Sequence, residues 1–189
     1  NTVYPFKYND FKYLKLLIKR KNIGIIKMEV QRNYPPENNF LQKVRKICNT
    51  HKVVLIFDEC TSGFRETYGG YYKKFSIIPD ILIYGKALGN GYPITAVLSK
   101  KKFFEVASNT FISSTFWSDG IGLTAALQTL DVMKKKKTWS VIFKKGKYLK
   151  SKILKLFKKH EIDGQIKGIN SIIKITFKRD NIIKNKFLS

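Results

Sequence analysis

Two short apolar runs, each ending in a charged residue, constrain this chain more than any other feature. Val53-Val54-Leu55-Ile56-Phe57 runs straight into Asp58, and Ile81-Leu82-Ile83-Tyr84 runs into Gly85-Lys86. Runs without polar alternation read as strands buried on both faces, the kind found in parallel sheets covered by helices. In open α/β sheets the ligand crevice lies outside the carboxyl ends of the strands. Asp58 and Lys86 are therefore expected to aim opposite charges at one edge of one sheet. An ammonium there, beside glycines that admit close approach, is expected to be desolvated, with a lowered pKa. That is the environment a nucleophilic or Schiff-base lysine needs. Spacing alone leaves other readings open. Lys86 could be a solvated loop lysine among 37 Lys and Arg, the pair a structural salt bridge, and Asp58 a mere cap of the next turn.

The remainder alternates as such a sheet requires. Residues 10–22 read as a helix capped at Asn9 or Asp10, and residues 24–30 as a strand. A helix after Pro36 places Phe40, Leu41, Val44, Ile47 and Cys48 on one stripe. Strands recur at 53–57, 81–84 and 94–98, with a short helix at 101–108 and a long one over about 119–135. This order predicts an α/β fold, a mostly parallel sheet with flanking helices on both faces. From 138 the texture changes to a lysine-rich amphipathic helix carrying Trp139, Ile142, Leu149, Ile153, Leu156 and Phe157. A strand at 171–177 follows it.

The motifs between these elements narrow the reading. Phe57-Asp58-Glu59, Gly63-Phe64, Pro79-Asp80-Ile81, Gly85-Lys86-Ala87-Leu88-Gly89, Gly91 and Pro93 occur in that order. Ile25 to Val30 and Pro35-Pro36 lie upstream, and Phe111 to Trp117 lies downstream. Together they resemble the core of the class III aminotransferases, pyridoxal-phosphate enzymes of fold type I, over most of residues 10–135. Gly63-Phe64-Arg65 is closer to the glutamate-1-semialdehyde aminomutase-like branch than to the ornithine branch.

The resemblance implies a role for each site residue. Lys86 would hold pyridoxal 5'-phosphate as a Schiff base and carry the proton between substrate and cofactor. Asp58 would keep the pyridine nitrogen protonated. Cys60 stands where a valine usually packs on the ring face, with a plain core cysteine as the alternative. Thr61 replaces a glutamine that contacts the ring hydroxyl, so that contact is shorter or absent. Thr115 would reach the cofactor phosphate of the neighbouring subunit, implying a homodimer with a composite active site. Asn90 replaces a glycine and tolerates left-handed backbone angles. The substrates implied are a small-molecule amino donor and acceptor, with a carbohydrate or tetrapyrrole precursor in view. The family's upstream phosphate loop and stacking aromatic have no counterpart, so the chain is expected to be a fragment. Residues 1–135 would form the second half of the large domain, and 136–189 the beginning of a small C-terminal α+β domain.

Composition adds little to this. A formal charge of +24 on 189 residues, with Lys134 to Lys137 and Lys144-Lys145, invites a nucleic-acid reading. The lysines are spread along the chain and accompany frequent Asn, Ile, Phe and Tyr, which suggests drift toward AT-rich codons. Weak polyanion binding at low salt is expected on physical grounds, with no specific nucleic-acid partner. An inactive remnant or a basic polyanion-binding protein is the alternative function. Gly85 to Gly91 lacks the Gly-Lys-Ser/Thr ending of a nucleotide loop. No run approaches the roughly 18 apolar residues of a membrane span. Cys48 and Cys60 make no disulfide framework and fit a reducing cytoplasm. No metal site is expected.

Overall fold

Both apolar runs lie at the centre of one four-stranded sheet, in the order β1 (Ile25–Met28), β2 (Val54–Asp58), β3 (Ile81–Tyr84) and β4 (Ala96–Ser99). The structure, a computed structural model, describes residues 2–113 and 115–177; Ser114 and residues 178–189 lie outside the described residues. β1, β2 and β3 run parallel, whereas β4 returns antiparallel to β3. The return needs only a short connection, here a 3-10 turn at Lys86–Leu88 and the loop behind it.

Helices cover this sheet where the stripes predicted. Helix α1 (Phe11–Arg20) begins where the Asp10 carboxylate accepts the Tyr13 N–H at 2.9 Å. Helix α2 (Phe40–His51) buries Phe40, Leu41, Val44, Ile47 and Cys48. With Leu14 and Ile18 of α1 they pack on Ile26, Met28, Leu55 and Phe57 to form the main core. Each fully buried Leu, Ile or Phe contributes about 1.5–3 kcal/mol, so this stripe against two strands is a large share of what holds the sheet to its helices. Helix α3 (Lys101–Ser108) follows β4, and α4 (Gly120–Lys136) starts at Asp119, whose carboxylate accepts the Ile121 N–H. Ala126 of α4 meets Phe64, Tyr84 and Leu88 in a second cluster, and Leu82 packs against both.

Coverage of the two faces is uneven. Along β1 and β2 every second residue is buried while its neighbours are half-buried or exposed. Ile25 is 59% and Val97 62% exposed, both on the second face. The doubly apolar strands anticipate cover on both sides, and the described residues supply it fully on one.

Asp80, in the Pro79-Asp80-Ile81 motif, staples these pieces together. Its Oδ2 accepts the Leu55 N–H of β2 and the Arg45 guanidinium of α2, and its Oδ1 accepts Lys100 Nζ just past β4. Burial works against the charge, but the donors outweigh it and hold the carboxyl at about 2.

Helix α5 (Thr138–Lys159) leads to an antiparallel hairpin, β5 (Gly164–Ile169) and β6 (Ile172–Phe177). Only the second strand was foreseen, at 171–177. Gly164 and Gly168 hide the first, because they break the alternation that marks a strand. Gly168, at φ +93°, allows a close approach in which a Cβ would lie 2.3 Å from the Ile172 carbonyl oxygen. Its N–H donates to Asn33, and Ile169 is buried in the main core.

Candidate active site

The parallel ladder sets the site. Register places Asp58, the last residue of β2, beside Ile83 of β3. Lys86 follows three residues later in the chain, so both charges emerge at the carboxyl edge, as two adjacent parallel strands require.

Asp58 uses both of its oxygens. Oδ1 accepts the Cys60 N–H at 3.1 Å, closing a short turn of the kind Asp favours, and Oδ2 lies 3.0 Å from Lys27 Nζ. Asp58 therefore does cap its turn and does form a salt bridge. The partner, however, is Lys27 on β1 and not Lys86.

Lys86 opens the 3-10 turn at φ +42°, a sparsely populated region for any residue with a Cβ. Its Nζ donates to Thr61 Oγ1 at 2.6 Å. The desolvation expected of Lys86 is not found: the side chain is exposed. It projects past the sheet edge into an open cavity of about 840 Å³ that Cys60, Pro93, Thr95, Ser113 and Phe116 also line. Gly85 is required by packing, since a Cβ there would lie 2.7 Å from Cys60 Sγ. The half-buried Cys60 thus rests against the backbone that leads into Lys86. Asn90 takes the left-handed conformation expected of it, at φ +48°.

The structure therefore brings Asp58, Cys60, Thr61 and Lys86 together through two short turns. Thr115 stands apart from this chain of contacts, exposed between the exposed Phe111 and Trp117.

Two residues that sequence reasoning passed over shape the site. Glu59 is fully buried and accepts the N–H groups of Tyr71 and Tyr72 and the hydroxyl of Ser62. Burial pushes its pKa up, against the pull of those donors and of Lys73. Charge beside an apolar strand masked this role, since a carboxylate next to Asp58 reads equally well as surface. Lys27 is the other. A lone cation in Ile25-Ile26-Lys27-Met28 was the available signal, because it breaks an apolar strand on the face that Asp58 shares.

Comparison with known proteins places the chain in a family. The family model "Aminotransferase class-III" matches residues 31–189. The 3-aminobutyryl-CoA aminotransferase of Cloacimonas acidaminovorans is 33% identical over 94% of this chain and 45% of its own length. The glutamate-1-semialdehyde 2,1-aminomutase of Sulfolobus acidocaldarius is 35% identical over 75% of this chain and 35% of its own. The acetylornithine aminotransferase of Elizabethkingia anophelis superposes with a TM-score of 0.85 at 28% identity, covering 97% of this chain and 48% of its own. The internal-aldimine form of the Sphingopyxis FumI protein shares the fold at a TM-score of 0.88 and 24% identity, over 94% of this chain and 45% of its own. The chain spans less than half the length of the relatives it matches.

The side chains at the edge fit pyridoxal phosphate. An amine can take an aldehyde, a carboxylate can pair with a ring nitrogen, and a small thiol lines the open cavity that Lys86 enters. No helix among the described residues is long and apolar enough to cross a membrane. With a family model covering most of its length and relatives above 30% identity, the chain belongs to the class III aminotransferases, whose cofactor is pyridoxal 5'-phosphate.

Proposed function

We propose that this chain carries the catalytic edge of an enzyme that moves an amino group on a small molecule, by transfer or by internal shift. The supporting observation is Lys86 Nζ, held on Thr61 Oγ1 one strand over from Asp58. When bound, pyridoxal phosphate supplies an electron sink for the carbon that carries the amino group. Lys86 is the residue that would hold the cofactor, and its Nζ is the base placed to carry a proton at the substrate carbon. The Thr61 hydroxyl fixes where that amine rests. Asp58 Oδ2 would hold a proton on the ring nitrogen, and Cys60 would pack on the ring face.

Thr115 would reach the phosphate bound to a second copy of the chain, and the enzyme would then be a homodimer with composite sites. Residues 1–135 act as the second half of the cofactor-binding domain, and 136–189 as the start of the small one. The reaction is cytoplasmic, where Cys48 and Cys60 stay reduced. Glutamate 1-semialdehyde and 3-aminobutyryl-CoA, the compounds in the names of relatives, are the first substrates to try beside carbohydrate and tetrapyrrole precursors.

Borohydride reduction of the cofactor-loaded protein, followed by peptide mapping, tests the assignment. A pyridoxyl label is expected on Lys86 and is expected to vanish in Lys86→Ala. A label on any other lysine overturns it.

A further inference from the structure

We propose that Lys27 is a tuning residue: acting through Asp58, it lowers the affinity of the pyridine nitrogen of bound pyridoxal phosphate for its proton. The inference rests on the roles given above to Lys86 and Asp58. Asp58 Oδ1 is taken by the Cys60 N–H, so Oδ2 is the oxygen left for a ring N–H. That oxygen is the one Lys27 Nζ already holds, at 3.0 Å.

A carboxylate oxygen can accept two hydrogen bonds, so Lys27 and the ring can share it. The two cations then lie within about 6 Å of one another, and a like charge at that distance disfavours the protonated ring. Lys27 is anchored for this task. The ladder pairs it with Ile56, the residue two before Asp58 on the same face, so the half-exposed Lys27 side chain starts on the face that Asp58 shares.

The other charged groups near this edge are engaged elsewhere. Lys86 bonds the Thr61 hydroxyl, Arg65 Nε donates to the Thr61 carbonyl at 2.8 Å, Glu29 pairs with Arg32 at 3.2 Å, and Glu59 is turned into the loop toward Tyr71 and Tyr72. Among the described residues, Lys27 is therefore the cation placed to act on Asp58. An ordinary exposed ion pair would contribute about 0–1 kcal/mol of stability and leave the ring proton untouched.

The experiment loads the full-length protein with pyridoxal phosphate carrying 15N at the ring nitrogen and follows its NMR shift with pH. Wild type, Lys27→Met, Lys27→Gln and Lys27→Arg are compared, Lys27→Gln guarding against poor folding of Lys27→Met. Removing the charge is expected to raise the protonation midpoint by about one unit and to tighten cofactor binding several-fold. Lys27→Arg is expected to stay near wild type. Coincident midpoints in wild type and both neutral variants overturn the inference. If borohydride does not label Lys86, or if Asp58→Asn leaves the wild-type midpoint in place, the underlying site reading fails instead, and the inference with it.

Discussion

Glu66 reaches 105 residues along the chain to Ser171, whose backbone N–H and hydroxyl both donate to its Oε1, at 2.9 and 3.2 Å. Its other oxygen takes Lys74 Nζ at 2.6 Å. One buried carboxylate thereby ties the loop after β2 to the turn between β5 and β6. The same turn sets Ile169 into the core, so the hairpin is fastened by a polar clasp and an apolar plug together.

Replacing Glu66 by Ala should therefore loosen the hairpin before it loosens the sheet. The Ser171 donors would lose their acceptor, at a cost of about 1–3 kcal/mol. Urea unfolding should show that loss, and amide exchange should accelerate at Ser171 while Leu55 and Phe57 stay protected. Unchanged exchange at Ser171 would mean that packing alone seats the turn.

Asp80 makes stability depend on pH. Its carboxyl sits at about 2 in the fold against an ordinary value of 3.8. A depressed carboxylate contributes stability that is fully present above its ordinary pKa and is lost as pH falls from about 4 toward 2. The shift corresponds to about 2 kcal/mol. Asp80→Asn should be less stable than wild type at pH 7 by that order, with the gap narrowing below pH 4. A gap independent of pH would put the stabilisation in shape and not in charge.

Sequence pattern revealed the elements whose signal is local and periodic. The stripe from Phe40 to Cys48 became α2 because burial of one face dictates the helical period, and the unbroken apolar run from Ile81 to Tyr84 became β3. The edge bearing Asp58 and Lys86 was legible for the same reason, since a parallel strand must deliver its last side chain there. Partners were not legible. Asp58 meets Lys27 and Glu66 meets Ser171 through register and docking, which no local period encodes. Nor was the exposure of Lys86 visible, because an apolar run states that a strand wants cover, not which segment provides it. Strand β5 was hidden by the two glycines that its tight hairpin requires.

The segment around Thr115 presents the last test. Phe111 is 95% exposed, and Phe116 and Trp117 also lie open, close to the cavity that Lys86 enters. Clustered aromatics in water are costly and mark an interaction surface. If a second copy covers them, two-fold symmetry brings each Thr115 to the other copy's site. Two substitutions should then separate assembly from binding. Trp117→Lys should shift the sedimenting species from dimer to monomer and weaken cofactor binding together. Thr115→Val should leave the dimer intact and still weaken cofactor binding by about tenfold or more, the worth of one hydrogen bond to a charged phosphate. A monomeric Trp117→Lys variant that binds cofactor as tightly as wild type would show that each copy completes its own site.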